Sequence, residues 1–307
     1  MPDQAQRLRE IVTKKTGESA SKKVDLSARR KRKDCVNSPH ARVITVTSGK
    51  GGVGKSNVAV NLGIALVREG KRVAVIDMDL GLANVNVIAN VDPSHNLFDV
   101  FRGSHDLADI VEKGPENLLV VAGATGKDEL ANLDGEECRQ FLDQLAQLDQ
   151  LVDIIIMDTA AGISRSVLKF VRSADETLLV TTPEPTAITA AYALIKASIR
   201  HGPKPYFKLI VNRASSLMEA RRVGEKIQRV GQEFLNTRLD LLGYVLEDQA
   251  VPRAVRRRSP FMVDSPEAMV SQCISHLSRR LINPKKQREP EGIRNFFEKM
   301  MDWIGGE

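Results

Sequence analysis

Cysteine, tryptophan and aromatic residues in general are scarce in this sequence. Its 307 residues include three cysteines and one tryptophan, and aromatic residues make up only 4% of the chain. Cys35, Cys138 and Cys273 lie far apart and form no C-x-x-C pair, which argues against a metal ribbon or a disulfide framework. This usage fits a reducing compartment, and we therefore expect a cytoplasmic protein.

Long hydrophobic runs are also absent, and the excess of basic charge is confined to one end. No apolar run reaches the length of a membrane span, and no signal-peptide core follows Met1. The net charge is +6, but residues 1–42 alone hold twelve Lys and Arg against five acids. The rest of the chain is close to neutral, so the high isoelectric point does not indicate a body that binds nucleic acid.

A glycine-rich loop follows the first strongly apolar run. The β-branched residues Val43–Thr47 predict a strand, and GKGGVGKS at 49–56 fits the pattern G-x-x-x-x-G-K-[ST] before an apolar helical stretch. Glycines let several backbone N–H groups converge, and the dipole of the following helix adds positive potential. The loop therefore predicts a nucleotide phosphate site, in which Lys55 reaches the β- and γ-phosphates and the Ser56 hydroxyl ligates Mg²⁺.

Apolar strands alternate with helices through the body of the chain. Strands are predicted at 43–47, 72–77, 118–122, 152–158, 177–182, 206–212 and 239–245. This alternation predicts an α/β fold with a mostly parallel twisted β-sheet flanked by helices on both faces. Polar residues stand where strands end, namely Asp77, Asp79, Asp158 and Asn212. Because ligands bind at the carboxyl edge of such sheets, these residues and the loop predict one site.

The two ends differ from this body in composition. Residues 1–12 predict a short helix and residues 13–41 a flexible basic linker, whose run ARRKRK could contact anionic lipid or nucleic acid or remain a solvated tether. The nucleotide-binding domain is expected over 42–282, followed by a polar linker at 283–292. On the helix predicted over 217–235, we expect Val223, Ile227, Val230 and Phe234 to face the core.

The last segment, residues 293–307, has the pattern of an amphipathic helix. Its apolar face consists of Ile293, Phe296, Phe297, Met300, Met301 and Ile304, with Trp303 at the margin. A short helix with bulky apolar residues and a terminal tryptophan is typical of an interfacial membrane anchor. Because a polar linker isolates this helix, we favour membrane targeting over a helix that folds back onto the body.

The order of the motifs resembles the MinD/ParA family of deviant Walker-motif ATPases. The matching segments are KGGVGKS, IDMDLGLANV, IIIMDTAAG, IVNR and LEDQAV, within residues 42–265, and their most specific residue is Lys50. The resemblance implies an ATPase with ATP and Mg²⁺ as cofactors. It further implies a nucleotide-sandwich homodimer, in which Lys50 reaches the phosphates bound by the other subunit.

The resemblance also assigns roles to individual residues. It implies that Lys50, Lys55 and Asp79 are catalytic, with Asp79 orienting water, that Ser56, Asp77 and Asp158 serve the metal, and that Asn212 reads adenine. The implied ATP-binding residues are Gly49, Lys50, Gly51, Gly52, Val53, Gly54, Lys55, Ser56, Asn57, Asn212, Arg213, Glu247 and Asp248. The chain departs from the MinD branch at Ala160 and Leu246, where proline is frequent, so the adenine contact of the 246–252 loop is less secure.

The N-terminus is similar to one branch of this family, the flagellar FlhG group, also called FleN or YlxH. The segment DQAQRLR at 3–9 matches the activator motif of that group. The resemblance implies that it stimulates the signal-recognition-type GTPase FlhF through Asp3, Gln4, Ala5, Leu8 and Arg9. Regulation of flagellar number and placement, a flagellar C-ring component or transcription activator as partner, and an ATP-bound dimer at the inner face of the membrane are implied as well.

Two other functions are consistent with parts of the sequence. Arg253, Arg256, Arg257 and Arg258, together with ARRKRK, could bind DNA phosphates in a ParA-like segregation ATPase. The near-neutral body and the apolar C-terminal helix argue against this alternative. A non-catalytic anti-activator of a transcription factor is the third possibility, although the intact residues Lys55, Ser56, Asp79 and Asp158 favour hydrolysis.

Overall fold

The computed structural model describes residues 40–79, 84–123, 135–200, 204–283 and 289–305. The N-terminal segment with Asp3, Gln4, Ala5, Leu8 and Arg9 lies outside these ranges, as does the basic linker as far as residue 39. Their predicted structure and roles therefore stay predictions.

Eight strands form one sheet in the order β3-β4-β2-β5-β1-β6-β7-β8. They are β1 (Arg42–Thr47), β2 (Val73–Met78), β3 (Val111–Lys113), β4 (Leu119–Val121), β5 (Ile154–Thr159), β6 (Glu176–Thr181), β7 (Phe207–Ala214) and β8 (Leu239–Leu246). All pairings are parallel except that of β3 with β4. The mostly parallel sheet is confirmed, whereas the short edge strand β3 was not predicted.

Helices cover both faces of this sheet. They are α1 (Lys55–Arg68), α2 (Val85–Ala89), α3 (Leu97–Phe101), α4 (Leu107–Ile110), α5 (Gly135–Leu145), α6 (Leu148–Leu151), α7 (Arg165–Ser173), α8 (Pro185–Ser198), α9 (Leu217–Leu235), α10 (Ala250–Arg256), α11 (Phe261–Asp264), α12 (Met269–Ile282) and α13 (Gly292–Gly305).

Alternation of side chains along the strands produces two apolar layers. On β1, Ile44 and Val46 point to the layer formed with α1 and α12, whereas Val43 points to the opposite layer. The same alternation runs through β5, where Ile154 and Ile156 share the first layer and Ile155 the second. Because both faces are buried, the strands read as continuous apolar runs. The carboxyl ends of β1, β2, β5, β6 and β7 meet at one edge of the sheet.

The C-terminal helix α13 packs on the body, so the single chain adopts the alternative of a helix that folds back, whereas membrane targeting stays a prediction. The side chains of Ile293, Phe296, Phe297 and Met300 are at most 5% exposed, and Met301 is partly buried beside them. These residues follow the i, i+3, i+4, i+7 spacing of one helix face. The side chains of Trp303 and Ile304 lie outside the described ones.

Aromatic contacts hold α13 in place. The ring of Phe296 stacks on Phe170 of α7 with 6.0 Å between centroids, and Phe297 meets Phe141 of α5 edge-on at 5.6 Å. The polar linker was expected to isolate this helix, but the body carries an apolar surface that fits it. Within the ranges given above, no helix combines the length and the apolar content needed to cross a bilayer.

Helix α9 differs from its expected orientation at one end. Val223 and Ile227 are buried as predicted, but Phe234 is 70% exposed. The buried stripe continues through Gly231 to Leu235, which packs against the core in the position expected for Phe234. A one-residue drift of the stripe at the last turn therefore leaves the phenylalanine on the surface.

Candidate nucleotide-binding site

The glycine-rich loop connects β1 to α1 and requires glycine at Gly54 for its backbone conformation and at Gly49 for space. Gly54 caps α1 with φ +87°, and a Cβ there would lie 2.5 Å from Nδ2 of Asn212. A Cβ on Gly49 would lie 2.2 Å from the carbonyl oxygen of Ala190 in α8. Because Gly54 has no side chain to cap the helix, the first N–H groups of α1 remain available to an anion.

Lys55 is buried against a carboxylate on β5. Its Nζ lies 2.7 Å from Oδ1 of Asp158, and the two side chains are 7% and 0% exposed. Burial raises the pKa of the Asp158 carboxyl, and the positive charge of Lys55 opposes that rise. The second carboxylate oxygen, Oδ2, is buried without a hydrogen-bond partner among the described residues. Since such an orphan is costly, its position suits a ligand such as metal-bound water.

Asp77 and Asp158 face each other across neighbouring strands. They are register partners in the β2–β5 ladder. The Asp77 carboxylate accepts the backbone N–H of Asp79 at 3.0 Å and of Val85 at 3.1 Å. Burial raises the pKa of Asp77 to about 6, although these two N–H donors oppose the rise. The structure thus gives Asp77 a role in positioning the backbone of Asp79 and the start of α2, beside its predicted metal role.

Lys50 is held by residues of its own chain, Glu184 and Thr186, that lie outside the predicted site residues. Its Nζ lies 2.6 Å from Oε2 of Glu184 and 2.9 Å from Oγ1 of Thr186, at the start of α8. The hydrogen bond from Lys50 lowers the pKa of the Glu184 carboxyl. The lysine is 41% exposed, so it stands at the surface of the loop. The sequence does contain a signal for these two residues. The polar run TTPEPT at 181–186 begins at the last residue of strand β6, which ends at the same edge of the sheet as the glycine-rich loop.

The residues predicted to bind near the adenine differ in whether they contact the glycine-rich loop. Nδ2 of Asn212 donates to the carbonyl of Val53 at 2.7 Å, so this residue contacts the loop directly. Arg213 adopts φ +55° and its guanidinium lies 3.6 Å from the Glu247 carboxylate, both side chains being exposed. The carboxylate of Asp248 instead accepts the N–H groups of Ala250 and Val270, at 2.8 and 3.3 Å. Asp248 therefore holds the starts of α10 and α12 together.

The remaining predicted residues stand around the same loop. Gly51 and Gly52 have open space where a Cβ would be, Val53 is buried, and Ser56 and Asn57 lie in the first turn of α1. Within the described part of the chain, no group of three or more His, Cys, Asp or Glu could hold a metal ion. The residues present fit Mg²⁺, which keeps water ligands and shares phosphate oxygens rather than requiring a protein cage.

The chain matches one family model across most of its length. The model describes the CobQ/CobB/MinD/ParA nucleotide binding domain, and it matches residues 44–261. The match begins in β1 and ends in α11, so it contains the glycine-rich loop and all of the strand ends described above.

Individual proteins match over similar lengths. The antiactivator FleN of Pseudomonas aeruginosa is 37% identical over 83% of this chain and 91% of its own length. The flagellum site-determining protein YlxH of Helicobacter pylori is 33% identical over 88% of this chain and 92% of its own. Among solved structures, the septum site-determining protein MinD with Mg-ADP from Pyrococcus horikoshii superposes with a TM-score of 0.62 at 25% identity, covering 78% of this chain and 96% of that one.

Proposed function

Because the chain belongs to the MinD/ParA family of P-loop ATPases, we propose that it is a nucleotide-driven switch that regulates flagellar number and placement. The flagellar role is supported by the names of its relatives FleN, an antiactivator, and YlxH, a flagellum site-determining protein. The switch itself is supported mainly by Lys50, which stands exposed on the loop with its charge held by Glu184.

Nucleotide binding would rearrange the buried ion pair. Bound Mg²⁺ supplies charge neutralisation between the phosphate oxygens. Lys55 would exchange the Asp158 carboxylate for the β- and γ-phosphates. Ser56, Asp77 and Asp158 would hold Mg²⁺, directly or through water, and Asp79 would position the water that attacks the γ-phosphate.

Dimerisation would recruit Lys50. In the single chain its ammonium is neutralised by Glu184, 2.6 Å away. In the proposed ATP-bound homodimer Lys50 leaves Glu184 and reaches the phosphates bound by the other subunit, where developing negative charge attracts it more strongly. The active site is then complete only when two copies face each other.

Membrane association would require the release of α13. Its four buried apolar side chains contribute on the order of 6–12 kcal/mol to docking, at roughly 1.5–3 kcal/mol each. The same apolar face would enter the interface of a bilayer, so in the single chain docking on the body competes with membrane binding. Two linked helices in a dimer gain from effective concentration, which favours the membrane-bound state.

Partner recognition would reside at the N-terminus. We propose that DQAQRLR at 3–9 stimulates FlhF, with Gln4 as the residue to test, and that a flagellar C-ring component or transcription activator is a further partner. The test compares the GTPase rate of FlhF alone, with a peptide of residues 1–12, and with the same peptide carrying Gln4→Ala. Stimulation by the first peptide and not by the second supports the proposal, and no stimulation by the first contradicts it.

A cosedimentation assay separates the membrane switch from DNA binding. The arginines Arg253, Arg256, Arg257 and Arg258 are all exposed at the end of α10, so DNA is the second candidate ligand. The full-length protein is mixed with anionic phospholipid vesicles or with duplex DNA, in each case with ATP or ADP. We expect ATP-dependent sedimentation with vesicles, lost in Lys50→Ala. ATP-dependent binding to DNA alone would favour the segregation ATPase.

A further inference from the structure

The two ends of the described body meet at a pair of buried carboxylates. Asp149 of α6 and Asp175, just before β6, are 6% and 8% exposed. Each accepts one backbone N–H from the segment that opens β1 and one from the segment that opens α13. We use the name terminal junction for residues 40–43, residues 291–293 and the two aspartates that join them.

The hydrogen bonds at the terminal junction follow a regular pattern. Oδ1 of Asp149 accepts the N–H of Ala41 and the N–H of Ile293, both at 3.1 Å. The Asp175 carboxylate accepts the N–H of Val43 at 2.8 Å and the N–H of Glu291 at 3.2 Å. The two segments thus lie side by side in opposite directions, joined by carboxylates.

Close packing reinforces these bonds. Gly292 adopts φ +86°, and a Cβ there would lie 2.6 Å from the Asp149 carboxylate and 3.0 Å from the His40 ring. His40 Nδ1 itself lies 3.3 Å from the same carboxylate. Glycine at 292 therefore lets the start of α13 approach the residue at which the N-terminal leader, residues 1–39, joins the described body.

Shared acceptors couple the two segments energetically. A buried carboxylate that loses one of its two N–H donors is left less well satisfied, and the remaining segment loses the packing of its neighbour. Whatever removes α13 from the terminal junction therefore weakens the hold on residues 40–43, and by linkage the reverse is also true.

We propose that Asp149 and Asp175 form a latch that couples the docking of α13 to the attachment of residues 40–43, so that release of one end loosens the other. A partner that binds the leader and a surface that binds α13 therefore favour the same state, in which the terminal junction is open. The coupling is a property of the single chain and does not depend on ATP, membrane or FlhF.

Hydrogen exchange of the full-length protein without nucleotide tests the latch. Phe297→Ala loosens α13 through its contact with Phe141, away from the two aspartates. We expect exchange at the amides of Ala41 and Val43 to rise about tenfold along with that of α13. Asp143→Asn is the matched control, because it removes the exposed partner of Arg294 on α13 without touching the terminal junction. It should leave residues 41 and 43 unchanged.

A second variant, Asp149→Asn, and exchange at strand β7 complete the test of the latch. Asp149→Asn should raise exchange at residues 41–43 and 291–293 together, and if this variant does not fold, Phe297→Ala carries the test alone. Faster exchange confined to α13, with Ala41 and Val43 unchanged, would overturn the latch. An equal rise at β7 would also overturn it, since the effect would then be global unfolding.

Discussion

The ammonium of Lys50 and the carboxylate of Glu184 form an ion pair within one chain, with 2.6 Å between Nζ and Oε2. Family resemblance assigns this lysine to the phosphates of a second subunit. The structure shows the alternative partner that it has in the absence of that subunit. Assembly of the proposed dimer is therefore a competition between Glu184 and phosphate for one cation.

Replacing Glu184 by Gln should shift this competition. The variant removes the negative charge and keeps the side-chain shape, so Lys50 leaves the side chain at position 184 at a smaller cost in free energy. With ATP, we expect the dimer to form at a lower protein concentration than in the wild type, as measured by sedimentation velocity. A variant that needs more protein to dimerise would show that Glu184 instead supports the lysine in the dimer.

Lys55→Ala should destabilise the protein even without nucleotide. The substitution leaves Asp158, which is 0% exposed, without its cation. Removing one partner of a buried pair typically costs about 3 kcal/mol of unfolding free energy. Urea denaturation of the nucleotide-free protein measures the change. Lys50→Ala is the matched control, since its pair with Glu184 is exposed, and little change in stability is expected there. Equal stabilities of the two variants would contradict the assignment.

Phe296→Ala should reveal how firmly α13 is docked. The ring is 1% exposed, and truncation of a buried phenylalanine costs about 3–5 kcal/mol. The same substitution at Phe234, which is 70% exposed, should change the unfolding free energy by less than about 1 kcal/mol. Thermal and urea unfolding of both variants test this contrast. If the two variants were equally stable, α13 would not be part of the folded core.

The terminal junction should make stability depend on pH. Burial raises the pKa of Asp175 from 3.8 to about 6. The folded state therefore binds the proton of the Asp175 carboxyl more tightly than the unfolded state. The stabilisation that protonated Asp175 gives the folded state is complete below pH 3.8 and is lost as pH rises through about 6. The shift corresponds to about 3 kcal/mol. Relative to Asp175→Asn, the wild type should lose about that much unfolding free energy between pH 4 and 7. Parallel pH profiles of the two proteins would contradict the shift.

Local patterns were sufficient to predict the parallel strands of the sheet and the phosphate loop, but not the short edge strand β3. Strands buried on both faces read as apolar runs, and Asp77, Asp158 and Asn212 stand at their ends, so parallel topology brings them together. The phosphate loop could be predicted without knowledge of long-range contacts, because its glycines and Lys55 lie within one short segment of the sequence. Lys50 was recognised by resemblance, but its partner Glu184 lies 134 positions away and depends on how α8 meets the loop.

Long-range packing explains what the sequence did not reveal. Amphipathic periodicity predicts an apolar face on α13 but does not say whether bilayer or protein covers it. That depends on Phe141 and Phe170, whose rings meet it only in the folded chain. Arg42, counted with the basic N-terminal residues, is similarly buried, with Nη2 lying 2.5 Å from Oε1 of Glu176. Charge counting cannot find such a pair.

In the proposed switch nucleotide controls the release of α13, and hydrogen exchange with anionic vesicles measures that release. The groove that receives the helix is followed through peptides of α5 and α7, with ATP or ADP and with Lys50→Ala as the control. We expect these peptides to lose protection only with ATP and vesicles, and only in the wild type. Vesicle binding with ATP while α5 and α7 keep their protection would contradict the account.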